Sequence, residues 1–140
     1  AGFDCTVRIL KDLGWKSEIP IVKLGSGGNA NTLTEARALV AHARTIGGDI
    51  GIIAPAFHLV RAFMTTVTAI GDDPMRMYAI PGVPLRWDEH VVHSQGVVRN
   101  TRAGLLKDEE LQRLEKYRAP EFGGMLSAEV VLRYLDWRDV

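Results

Sequence analysis

The sequence predicts an α/β domain: a three-layer sandwich with a mainly parallel sheet and extra C-terminal helices. Three observations point there. Short apolar runs alternate with segments whose apolar residues recur at helical spacing. One run, IGIIA at Ile50 to Ala54, is almost wholly apolar, as parallel strands covered on both faces are. Glycine or proline stands at nearly every change of element.

Taken in order, Phe3, Val7, Leu10 and Leu13 form a helical stripe that Gly14 stops, with Cys5 as a small core residue. Ile19 to Leu24 (IPIVKL) is a β-rich run, with Pro20 at its beginning or on an edge because proline cannot donate to a ladder. After the turn Gly25 to Asn31, a helix is expected from Leu33 to Ile46, closed by Gly47 and Gly48. Ile50 to Ala54 is a strand ended by Pro55, and Phe57 to Ile70 a helix with Leu59, Val60, Phe63, Val67 and Ile70 on one stripe. Met75 to Ile80 (MRMYAI) alternates and is closed by Pro81, which makes it a strand. Strand and helix in turn imply right-handed crossovers and a parallel sheet.

Beyond Pro81 the pattern changes. A loop-rich stretch holds LRWDEHVVHSQG. A charged helix follows at Thr101 to Arg118, with Leu105, Leu106, Leu111 and Leu114 on its apolar side. Its KDEELQRLEKYR charges, Glu109 with Arg113 for instance, suit a solvated face. A last helix starts at the N-cap Ser127, with Val130, Val131, Tyr134 and Leu135 inward and Trp137 packing. The whole reads as one domain, residues 1–140, with a βα core at 1–80 and a loop and helical extension at 81–140.

Composition bounds the function. An apolar share of 46% and a charged share of 24% are ordinary globular values. With 17 basic against 17 acidic residues there is no basic excess of the kind nucleic acid binding uses, so no nucleic acid partner is expected. A lone cysteine rules out an internal disulfide. No run of about 18 apolar residues is present to span a bilayer, so a soluble chain is expected, cytoplasmic or envelope-associated, with an anchor or targeting segment upstream left open.

Three stretches could carry chemistry. In GNANTLTEARAL, Thr32 and Glu35 match a capping box, which alone accounts for their spacing. The preceding glycines, Gly27 and Gly28 among them, let a backbone approach a ligand closely, and the helix start behind Asn31 and Thr32 offers free N–H groups to an anion. In APAFHLVRA, His58 and Arg61 share a helical face at the C-terminal end of a strand, where ligands bind in parallel sheets. An imidazole there serves as acid or base and a guanidinium holds a phosphate or carboxylate; the plainer alternative is a capped strand end and a surface ion pair. In WDEHVVHSQG, Glu89, His90 and His93 lack a metal-site arrangement, so no metal is expected and His93 is placed on the crevice rim. Met64, Met75 and Met77 are read as core.

Asn31 to Ala36 (NTLTEA) and, after a short strand, His58 to Ala62 (HLVRA) together resemble the YdcF-like family, a domain of unknown function. The likeness covers Gly25 to Ile80 most clearly. It implies a Rossmann-like fold, a polar crevice built from Asn31, Thr32, Glu35, His58 and Arg61, a role in bacterial cell-envelope biogenesis, and S-adenosylmethionine as a candidate ligand. This chain departs from the pattern in reading APAF where the family carries hydroxyl residues before the histidine. It also shows no counterpart of the family's first strand and glycine-rich turn, so a fragment is one expectation and a partner segment or second copy completing the sheet is another. The expected roles are an anionic small molecule held by Arg61, Asn31, Thr32, Gly27 and Gly28, His58 as general acid or base, and Glu35 orienting it. Two other readings stand beside this one: a non-catalytic domain for a nucleotide-like ligand, and an assembly component with a vestigial crevice.

Overall fold

A computed structural model describes residues 3–16, 18, 20–24, 31–83, 85–92 and 99–140. The chain is mixed helix and strand around a small parallel sheet. Helix α1, Phe3–Asp12, ends as its glycine requires: Gly14 takes φ 85°, Trp15 donates to Leu10 and Gly14 to Lys11, a double bond pattern that only a left-handed residue allows cheaply. Helix α2 spans Thr32–Ile46 and stops at Gly47, whose left-handed φ of 68° turns its N–H back to Ala43.

Strand β1, Ile50–Ala54, runs parallel to β2, Met77–Pro81, pairing Ile50 with Met77 and Ile53 with Ile80. Helix α3, Ala56–Ile70, is the crossover between them, and Pro55 supplies the break that separates strand from helix. The core gathers on one face of this pair: Val40 and Ala43 from α2, Phe63, Val67 and Ile70 from α3, Ile50 and Met77 from the strands, and Val131 from the last helix.

Two expectations change here. Residues 20–24 of the IPIVKL run form no strand, and Ile19 lies outside the described residues; among the described strands β1 and β2 hydrogen-bond only to each other, and the run joins neither edge. The apolar IGIIA strand is covered on one face only. Ile53 is 75% exposed, with Tyr78 and Ile80 beside it on the same face.

The extension begins with a hairpin, β3 His90–Val92 against β4 Arg99–Thr101. The helix expected at Thr101 to Arg118 is composite: α4 at Arg102–Gly104, a π-helical stretch at Leu105–Glu110, and α5 at Leu111–Arg118. Buried Arg102 ties it to the hairpin by donating to Glu89 Oε2 at 2.7 Å and to Arg86 O at 2.8 Å. Trp87 is half exposed, and its carbonyl adds to the tie by accepting from Ala103. A short 3-10 turn, Pro120–Phe122, leads to α6, Ala128–Arg138. Among the described residues no helix is long and apolar enough to cross a membrane.

Tyr134 of α6 locks the start of β2. Its hydroxyl accepts from Met77 N at 2.7 Å and donates to Met75 O at 2.9 Å, and its ring meets Phe63 edge-on. Burial pushes its phenol above the ordinary value, so it serves as a neutral donor and acceptor. Tyr134→Phe leaves both backbone groups without that partner and is expected to cost about 1–3 kcal/mol in urea denaturation; a loss below about 0.5 kcal/mol would show that water replaces the hydroxyl without penalty.

Candidate functional site

The site starts from a helix cap. Asn31 is extended (φ −127°, ψ 166°), and its Oδ1 accepts from Leu33 N and Thr34 N, both at 3.0 Å. Thr34 answers with its hydroxyl, which accepts from Asn31 N at 2.9 Å. The capping box is therefore Asn31 with Thr34, one residue earlier than the Thr32 and Glu35 expected from spacing. This shift frees the Thr32 side chain, already inside the first turn, for another partner.

That partner is Arg61. Its Nη1 donates to Thr32 Oγ1 at 2.7 Å, while Nε and Nη2 donate side-on to the two carboxylate oxygens of Glu110, at 2.5 and 3.1 Å. Arg61 and Glu110 are each 1% exposed. A buried charge is tolerated only when paired and hydrogen-bonded, and the side-on fork supplies both. The π-helical stretch ends on Glu110; its wider turn changes which residues face α3, and such turns recur where a side chain must be re-aimed. The ring of Tyr117 lies 5.8 Å from the Arg61 guanidinium carbon, adding a cation–π contact.

His58, one turn before Arg61 on α3, joins from the other side. Its Nδ1 is 3.1 Å from Glu110 Oε2 and 3.2 Å from Arg61 Nη2. Its side chain is 22% exposed.

A cleft of about 550 Å³ opens against this network. Its walls come from the start of α2 (Asn31, Thr32, Leu33, Thr34 and Arg37), from α3 (Arg61, Thr65 and Thr68), and from Tyr117 through Met125. Gly123 shapes one wall: its φ of 125° is a conformation that L side chains rarely adopt, which favours glycine there.

The expected site residues thus divide. Asn31, Thr32 and Arg61 share the cleft; His58 touches Arg61 but does not line it; Glu35 is exposed on α2, makes none of the cap bonds and reaches neither His58 nor Arg61. Gly27, Gly28 and His93 lie outside the described residues. Of the WDEHVVHSQG acids and histidines, Glu89 is taken by Arg102 and His90 is exposed.

Sequence reasoning missed Arg37, Tyr117 and, above all, Glu110, which was expected on a solvated face. A signal was available: Leu106, Glu110, Leu114 and Tyr117 stand four, four and three residues apart, so the carboxylate occupies an apolar stripe and needs a buried cation.

Comparison with family models, with curated proteins and with solved structures finds no match. The site therefore rests on its own geometry.

Glu110→Ala leaves a buried guanidinium without its counter-ion and is expected to lower stability by about 3–5 kcal/mol in urea denaturation; a loss under about 1 kcal/mol would mean a solvent-screened pair. Asn31→Ala is expected to cost about 1 kcal/mol by loss of the cap, and Glu35→Ala no more than about 0.5 kcal/mol. The reverse order would restore the Thr32/Glu35 cap.

Proposed function

We propose that this chain is a YdcF-like, Rossmann-like domain that binds or transforms an anionic or phosphorylated small molecule in the cleft between the start of α2, α3 and the segment from Tyr117 to Met125. The observation that carries this is the convergence of Asn31, Thr32 and Arg61, from two separate motifs, on one cleft of drug-sized volume. In the enzyme reading the cleft holds the anion through Arg61 and the polar groups at the α2 start, and His58 serves as acid or base beside it. The Rossmann-like form draws support from the parallel β1–α3–β2 unit.

A second reading, a non-catalytic domain for a nucleotide-like ligand such as S-adenosylmethionine, has its own support. His58 does not line the cleft, and Glu110 already neutralises Arg61, so the expected acid or base stands outside the cleft and its buried arginine offers hydrogen bonding. An assembly role draws on the exposed Ile53, Tyr78 and Ile80 face, which a second copy or a partner segment would cover.

Calorimetric titration of the full chain with inorganic phosphate, a sugar phosphate, a nucleoside phosphate and S-adenosylmethionine separates these. At least one binds saturably, and Thr32→Val weakens it by roughly fivefold, the worth of one hydrogen bond. Product formed by the wild type and lost in His58→Asn, with binding retained, favours the enzyme. Saturable binding with no product over long incubation favours the binding domain. No binding by any of the four contradicts both.

A further inference from the structure

We infer that the ligand of this cleft presents a singly charged oxyanion, a carboxylate or a phosphodiester, to Arg37, while Arg61 serves it by hydrogen bonding rather than as its counter-ion. This rests on the reading that the cleft takes an anion, and it narrows the class of anion.

The inference follows from where the charges on the cleft are already spent. Arg61 is held side-on by Glu110 with both groups withdrawn from water, so its positive charge is matched within the protein before any ligand arrives. What it has left for a ligand is donor capacity at Nη1, the nitrogen beside Thr32. Arg37 is different. It stands one turn into α2 on the same cleft wall, is exposed, and forms no ion pair or hydrogen bond with any described residue. Its planar fork suits a two-oxygen anion.

Glu121 sets the upper limit on ligand charge. It lines the same cleft, is exposed, and likewise has no partner among the described residues. A monoanion is matched by Arg37. A second negative charge on the ligand would find no free cation on the described walls and would share the cleft with the Glu121 carboxylate, an arrangement that like-charge repulsion disfavours. The remaining polar walls, Asn31, Thr32 and Tyr117, suit the uncharged part of such a ligand.

The test is an amide NMR titration of the full chain at pH 8 and fixed ionic strength with acetate, dimethyl phosphate and inorganic phosphate, the last mostly dianionic at that pH. Either monoanion supports the inference by shifting the Asn31 to Arg37 amides saturably, with an affinity at least about threefold above that of inorganic phosphate, and the tighter of the two identifies the source. Arg37→Gln, at an exposed position that leaves folding intact, weakens that binding by roughly tenfold, and Arg37→Lys falls between. Inorganic phosphate binding as tightly as the better monoanion, or an unchanged affinity in Arg37→Gln, overturns this inference while an anion in the cleft still stands. No shift with any of the three probes overturns the cleft reading itself.

Discussion

The side-on pair of Arg61 and Glu110 is the interaction on which the site depends. Two charges at 1% exposure carry a large desolvation cost, and that cost is met only if every strong contact is made at once. The requirement reaches into three elements. It fixes Arg61 on the first turns of α3, holds the end of the π-helical stretch against it, and directs the remaining nitrogen to Thr32 at the start of α2. Thr32 in turn keeps its position because Asn31, and not Thr32, caps the helix. Cap, ion pair and π-turn are thus one connected arrangement, and the cleft is the space it leaves between α2, α3 and the segment from Tyr117 to Met125.

The same pairing decides what chemistry the cleft offers. A guanidinium locked onto a carboxylate is a rigid donor, well placed but already compensated, so binding strength must come from elsewhere on the walls. His58 gains a defined orientation from Glu110 and Arg61, yet its ring lies beyond the cleft wall. Binding and proton transfer are therefore less directly joined here than two motif residues one turn apart would suggest.

Much of the architecture was legible in the sequence because the signals were local. Gly14 and Gly47 end helices by a backbone conformation that few other residues adopt, and IGIIA between Gly48 and Pro55 is a strand by pattern and punctuation. What failed needed partners far along the chain. IPIVKL has strand composition but joins no described strand, and the apolar face of β1 with Ile53 stays exposed although its residues look fully buried. The cap moved by one residue because serine-like and asparagine caps compete over adjacent positions, and only geometry shows which oxygen reaches the free N–H groups. Asn31, Thr32, His58 and Arg61 were found from two motifs. Glu110 was not, since a charged run looks like a solvated face unless its place on the leucine stripe is noticed.

The most direct measurement is NMR of the Arg61 side chain in the intact protein. An interlocked pair predicts a resolved Nε–H signal, shifted by its short bond to Glu110, slow to exchange with solvent, and lost or strongly shifted in Glu110→Gln. A guanidinium that exchanges as fast as an exposed arginine, and is indifferent to Glu110→Gln, would contradict the account at its centre.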